Sequence, residues 1–360
     1  MLYREAEGAV KGMPNRLEKE WSETMLEDIL NLVSVSGLEQ EASRKINQMF
    51  SEVCEESYLD SLGNVISRKK SVNGKKTILL DAHLDQIGLM VTEILEGGFL
   101  RFVPIGGVDL RILPALEVVV HGKRDILGII GAKPPHLLTG PNDKAYQTEQ
   151  LFIDTGFSRE MLETIVRVGD AVSFHSTSTY LQNNCICRSA LDDRLGVYVN
   201  LEVLKRLSLQ NVDVISTATV GEEIGMKGAS VIGSSLDFDA AIVVDVTHGV
   251  TPDGIKARSF YLDKGPVITK GPALNKQMNR SILDYAKQKG IPLQIEVESG
   301  NPGTNAWVLH SAKTAVPTVM LSIPLKYMHT ASEVVSLENV HQLIDLMVGY
   351  LTDVADKEVL

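Results

Sequence analysis

TILLDAHLDQIG, residues 77–88, is the stretch on which the fold turns. Its first half, TILLDA (77–82), is a short apolar run without a polar face, which predicts a strand covered on both sides. Its second half leaves that strand through His83 and Asp85 and hands the chain to Gly88, where the character of the sequence changes. From about 88 to 180, segments such as GGFLRFVPIGG (97–107), LEVVVHGKR (116–124), DILGIIGAKPP (125–135) and VRVGDAVSFHS (166–176) are short, β-branched and punctuated by Gly and Pro. They predict a small all-β, barrel-like module with one helix near 158–166 and a long polar loop over 131–148.

An α/β rhythm flanks this module on both sides. Upstream, Ser36-Gly-Leu-Glu39 matches a capping box opening a helix with Ala42, Ile46, Met49, Phe50 and Val53 on one face. Downstream, Leu191, Leu195, Tyr198, Leu201, Leu204 and Leu207 mark a helix, and DVISTATVG (213–221) and AAIVVDV (240–246) predict central strands. A helix over 274–289 stopped by Gly290, a strand AVPTVMLS (315–322) and a last helix carrying Val340, Leu343, Ile344, Met347, Val348 and Leu351 complete the pattern. The expected organisation is one α/β domain formed by 1–87 and 181–360, interrupted by a β insertion at 88–180. At 360 residues the chain exceeds the usual domain length twofold. It needs no disulfide or metal merely to stay folded.

Charge and cysteine usage narrow the function. Asp and Glu number 46 against 35 Lys and Arg, a net charge of −11, which excludes a nucleic-acid binder and suits a protein that concentrates cations. The N-terminal MLYREAEGAVKGMPNRLEKEW has no apolar core of a secretory signal, and no apolar run approaches the roughly 20 residues that span a bilayer. Cys54, Cys185 and Cys187 are too few for a disulfide framework, and the Cys185/Cys187 pair lacks the second pair of a zinc site. Reduced thiols and a cytoplasmic location are expected.

Acidic and histidine residues cluster where predicted strands end, the usual ligand edge of an open α/β sheet. His83 and Asp85 are two apart, which suits an imidazole ligand held from behind by a carboxylate, although alone the pair fits a satisfied histidine at a strand end better. SALDDRLG (189–196) puts Asp192 and Asp193 at a helix start, where two acids also serve as cap and dipole partner. TVGEEIGMKGA (219–229) places Glu222 and Glu223 after a central strand, and adjacent clustered carboxylates need a cation or a proton between them. AAIVVDVTHG (240–249) carries Asp245 at a buried strand end, and LKYMHTASE (325–333) carries His329 in a loop. As one cluster they supply nitrogen and oxygen ligands for two divalent ions with one bridging carboxylate, leaving one glutamate free to act on water.

DAHLDQIG (81–88), ALDDR (190–194), GEEIGMKGA (221–229), VVDVTHG (243–249) and YMHTASEVVS (327–336) resemble, in order, the motifs of the tetrahedral aminopeptidases, also labelled glutamyl or deblocking aminopeptidases and sometimes "cellulase M". The resemblance runs from about residue 24 to 355 and includes the long gap between 83 and 192; the first twenty residues exceed what the family requires. It implies a zinc-peptidase-like α/β sandwich with an inserted β-barrel dimerisation domain, acting on short peptides and assembling six dimers into a homododecamer. It implies two divalent ions per chain, zinc, cobalt or manganese. His83 and Asp245 would hold one, Glu223 and His329 the other, and Asp192 would bridge them. Asp85 would stand behind His83, Glu222 would be the general base, and the Asp192–Asp193 peptide would be cis. Many relatives read GGTDA where this chain reads NPGTNA (301–306), so Asn305, if it lines the substrate pocket, should weaken any preference for basic N-terminal residues.

Two other classes compete. A glycoside hydrolase needs carboxyls on opposite sides of the bond, roughly 5–10 Å apart. Adjacent Glu222 and Glu223 serve that poorly, and an aromatic content of 5% offers few sugar-stacking faces. A non-catalytic assembly protein with this fold would have little use for a complete ligand set and a base.

Overall fold

A computed structural model of the chain describes residues 24–134, 146–255, 258–313 and 315–355. Its frame is a large mixed sheet. In chain order the first strands are β1 (Glu56–Leu59), β2 (Val65–Lys69) and β3 (Lys76–His83). The chain then enters a separate barrel through β4 (Gly88–Ile94), β5 (Phe99–Ile105), β6 (Glu117–His121), β7 (Asp125–Ala132), β8 (Leu151–Asp154) and β9 (Ala171–Phe174). It returns to the sheet with β10 (Thr179–Leu181), β11 (Cys185–Arg188), β12 (Val212–Thr219), β13 (Ala240–His248), β14 (Val267–Lys270), β15 (Gln294–Val297), β16 (Thr318–Lys326) and β17 (Glu333–Ser336).

The sheet runs β1-β2-β12-β3-β13-β16-β17-β11-β10, with β14 and β15 branching from β16. Its centre, β12-β3-β13-β16, is parallel, and its flanks are antiparallel. Alternation along the central strands serves two cores. Ile78, Leu80 and Ala82 of β3 and Ile242, Val244 and Val246 of β13 face a layer that includes helices Gln40–Ser51, Leu191–Arg206 and Leu337–Tyr350. Leu79, Ala241 and Val243 face the other side, under helices Lys227–Ser235 and Ala306–Leu309. Two-sided burial is what the unalternating apolar runs predicted.

The barrel closes in the order β4-β5-β8-β7-β6-β9. Its inside is filled at every second residue, for example Val118 and Val120 of β6 and Leu89 and Val91 of β4. Helix Arg159–Ile165, capped by the Ser158 hydroxyl, adds Leu162 and Ile165 to that core. Most of the expected 131–148 loop lies outside the described residues, as do the first twenty residues; Gly131 and Ala132 belong to β7. Cys54, Cys185 and Cys187 are free thiols.

The expected capping box does not form. Helix Gln40–Ser51 follows Glu39 in helical conformation with no side-chain cap. The Ser36 hydroxyl instead donates to the Asp85 carboxylate (2.5 Å), and the Glu39 carboxylate accepts the Gly221 N–H (3.1 Å). Both distant partners are buried, and buried polar groups outcompete a helix end that water can serve.

Candidate active site

The four central parallel strands end on one edge, and the acidic and histidine residues gather there. His83 closes β3, Asp245 sits near the end of β13, Glu222 and Glu223 follow β12, His329 follows β16, and Asp192 stands in the first turn of helix Leu191–Arg206. His83, Asp192 and Asp245 are buried; Glu223 and His329 are partly so.

Two trios of ligand atoms share one residue. His83, Asp192 and Asp245 each place an atom within 4.8 Å of the others, and so do Asp192, Glu223 and His329. Asp192 meets them with different oxygens. Its Oδ1 lies 3.1 Å from His83 Nε2, and its Oδ2 lies 3.5 Å from His329 Nε2. His83 Nε2 is 4.0 Å from Asp245 Oδ1, and His329 Nε2 is 3.2 Å from Glu223 Oε1. Among the described residues no Lys or Arg forms an ion pair with these carboxylates.

Both imidazoles are oriented by a main-chain carbonyl. His83 Nδ1 donates to the Asp85 carbonyl (3.0 Å), and His329 Nδ1 donates to the Gly107 carbonyl (3.2 Å). A carbonyl only accepts, so each Nδ1 carries the hydrogen and each Nε2 is turned to the carboxylates. The Asp85 carboxylate, expected behind His83, stands there too, its nearest oxygen 3.6 Å from the same Nδ1. That carboxylate already accepts the Ser36 hydroxyl and the N–H groups of Glu222 (2.9 Å) and Glu223 (3.1 Å). Asp85 thus fixes the backbone of both glutamates.

Three buried acids behind the cluster escaped the sequence reading or were left without a role. Glu333 accepts the N–H groups of Leu191 (2.8 Å) and Asp192 (3.3 Å) on one oxygen and of His329 (2.9 Å) on the other, tying both trios to one carboxylate. It lay within the quoted YMHTASE motif, four residues past His329, and only its burial distinguishes it. Asp193 accepts the His83 and Gly196 N–H groups, and the peptide before it is cis. Asp81 lies beneath, where Asn305 reaches it.

Asn305 does not line the pocket. Its amide donates to Asp81 (2.9 Å) and Thr219 (2.8 Å) in the core, because the face of β3 and β12 on which these side chains stand is roofed by the short helix Ala306–Leu309. Contrary to the expectation from sequence, it therefore offers no direct contact to a substrate in the cavity.

Crowded carboxylates set the electrostatics. Burial, then repulsion from Glu223, Asp192 and Asp85, pushes Glu222 up to about 7, although His83 pulls the other way. Hydrogen bonds to Asp192 and Glu223 push His329 up to about 11. Burial would raise Asp192, but hydrogen bonds from His329 and His83 hold it below the ordinary carboxylate range.

A cavity of about 530 Å³ opens over the cluster, lined by His83, Asp192, Glu222, Glu223, Asp245 and His329 and continuing past Thr247 to Glu296 and Glu298. The barrel reaches it through Gly107.

The family model described as M42 glutamyl aminopeptidase matches residues 63–346. A lysyl aminopeptidase of Pyrococcus furiosus is 33% identical over 335 residues, spanning 91% of this chain and 96% of that protein. The structure of an aminopeptidase from the archaeon Desulfurococcus kamchatkensis superposes with a TM-score of 0.87 at 31% identity, covering 95% of this chain and 99% of that one. The TET1 peptidase of Pyrococcus horikoshii, which can assemble into a tetrahedron or a large octahedral shell, gives a TM-score of 0.81 at 29% identity over 92% of this chain and 100% of that one.

Proposed function

The chain belongs to the M42 glutamyl aminopeptidase family, and we propose that it removes N-terminal residues from short peptides with two divalent ions held by the shared carboxylate of Asp192. The observation that carries this reading is the pair of trios, each with one imidazole nitrogen and two carboxylates, met by opposite oxygens of Asp192. The donor set fits: nitrogen and oxygen ligands suit zinc, cobalt and manganese, and the buried carboxylates have no lysine or arginine to balance them among the described residues. His83 and Asp245 would serve one ion, Glu223 and His329 the other.

Bound there, the ions would polarise the scissile carbonyl and make water acidic enough to attack at neutral pH. The chain's own contribution is proton transfer and positioning. Glu222 lines the cavity, belongs to neither trio, and so keeps its carboxylate free to accept a proton and return it. It takes the proton of the attacking water and delivers it to the leaving amine. Asp85 holds the Glu222 N–H and keeps the base in place.

The barrel is proposed as the dimerisation module of a homo-oligomer built up to a dodecamer, and the cytoplasmic location expected from cysteine usage belongs to the same reading. Among the described residues no helix is long and apolar enough to cross a membrane. Peptide-nitroanilide and cellulose assays, each with and without chelator, test the proposal. Peptide hydrolysis that chelator abolishes and metal restores is expected; chelator-resistant hydrolysis, or turnover of cellulose alone, would refute it.

A further inference from the structure

Beyond the candidate centre, the cavity carries charges that the mechanism above does not use. Glu296 on β15 and Glu298 just past its end both line it, and being two apart they leave the chain on the same side. Glu296 is braced from two strands: the Thr247 hydroxyl donates to its Oε1 (3.1 Å) and the Thr269 hydroxyl to its Oε2 (2.9 Å). Two hydroxyls fix the plane of a carboxylate without neutralising it. Among the described residues no Lys, Arg or His forms an ion pair with Glu296. A half-buried carboxylate held in one orientation and left without a cation is built to receive one.

Its place along the sheet says what would bring that cation. Thr247 follows Asp245 by two residues on the same face of β13, about 7 Å further along the strand. An extended lysine side chain spans about 6 Å from its Cα. A peptide whose first carbonyl is drawn over the two trios would therefore hold its first side chain within reach of Glu296. Arg258 lines the same cavity, but it is exposed, and water and salt screen its charge.

We propose that Glu296, supported by Glu298, forms a subsite for a cationic side chain, so that the chain prefers substrates with lysine or arginine at the N-terminus. The proposal rests on the aminopeptidase reading. It also reverses the specificity expected from Asn305, because the acid comes from β15 instead.

The test compares metal-loaded unaltered protein with Glu296→Gln on lysyl, arginyl and leucyl nitroanilides. The unaltered protein is expected to favour the basic substrates. Glu296→Gln should lower the lysyl-to-leucyl ratio of kcat/KM about tenfold or more, chiefly through KM, since the lost contact is present before and during the reaction. Residual leucyl hydrolysis shows that the variant is folded, and Glu298→Gln should move the ratio the same way by less. If Glu296 instead gripped the substrate's α-amine, both substrates would suffer equally, and an unchanged ratio would overturn the inference while leaving the aminopeptidase reading intact. Absence of hydrolysis of any substrate by the unaltered protein would overturn both.

Discussion

Glu222 and Glu223 are neighbours in sequence to which the proposed mechanism gives separate tasks. Glu223 stands 3.2 Å from His329 in one trio, whereas Glu222 lines the cavity and belongs to neither. Glu222→Gln keeps the shape and removes the basicity, so kcat should fall by about 10²- to 10⁴-fold with metal content unchanged. Glu223→Gln should lose metal first. Steady-state kinetics beside elemental analysis of both variants checks the assignment, and the reverse pattern would exchange their roles. Asn305 makes a different residue-scale point. Its amide donates to the buried Asp81, which burial pushes up to about 7. Asn305→Asp would set two buried carboxyls against each other and leave a partner unsatisfied. It should cost about 1–3 kcal/mol of stability, read as a lower Tm; an unchanged Tm would show that the contact contributes nothing.

At the scale of elements, the site depends on a turn of the barrel. The Gly106–Gly107 turn after β5 lies against the second trio, and a Cβ on Gly107 would stand 2.7 Å from His329 Nδ1. Gly107→Ala must therefore move the imidazole or the turn. Losses of about 10- to 100-fold in metal affinity are typical when such a supporting contact goes. The ion of the His329 trio should weaken and that of the His83 trio should not, which a metal titration resolves; equal affinities would mean that the turn does not position His329. This dependence was not legible in the sequence, where GGFLRFVPIGG reads only as strand and turn. What was legible came from period and placement. Apolar runs such as TILLDA and AAIVVDV marked the parallel centre, and the polar residues that followed them marked the edge where the two trios gather. What was not legible came from long-range pairing. Ser36 and Glu39 matched a local cap, Glu333 looked like any loop acid, and Asn305 seemed a pocket residue, because nothing local shows which distant donor a buried carboxylate meets.

The whole molecule joins a cleft built by the sheet to a barrel that faces outward. On β7 the barrel exposes Leu127 and Ile129, 60% and 52% accessible, beside a core filled by the alternate residues Ile126 and Ile130. If the barrel pairs with a second copy, light scattering should give a multiple of 39.4 kDa. Leu127→Lys with Ile129→Lys should then lower the mass without unfolding the barrel, because neither side chain serves its core. A mass unchanged in the double variant would place the contact elsewhere. The central claim concerns one carboxylate that serves both trios, and the metal content of the intact protein tests it most directly. After equilibration with zinc and dialysis, elemental analysis should find two ions per chain in the unaltered protein and far less than one in Asp192→Ala, because both trios lose an oxygen at once. Two ions per chain retained by Asp192→Ala would contradict it.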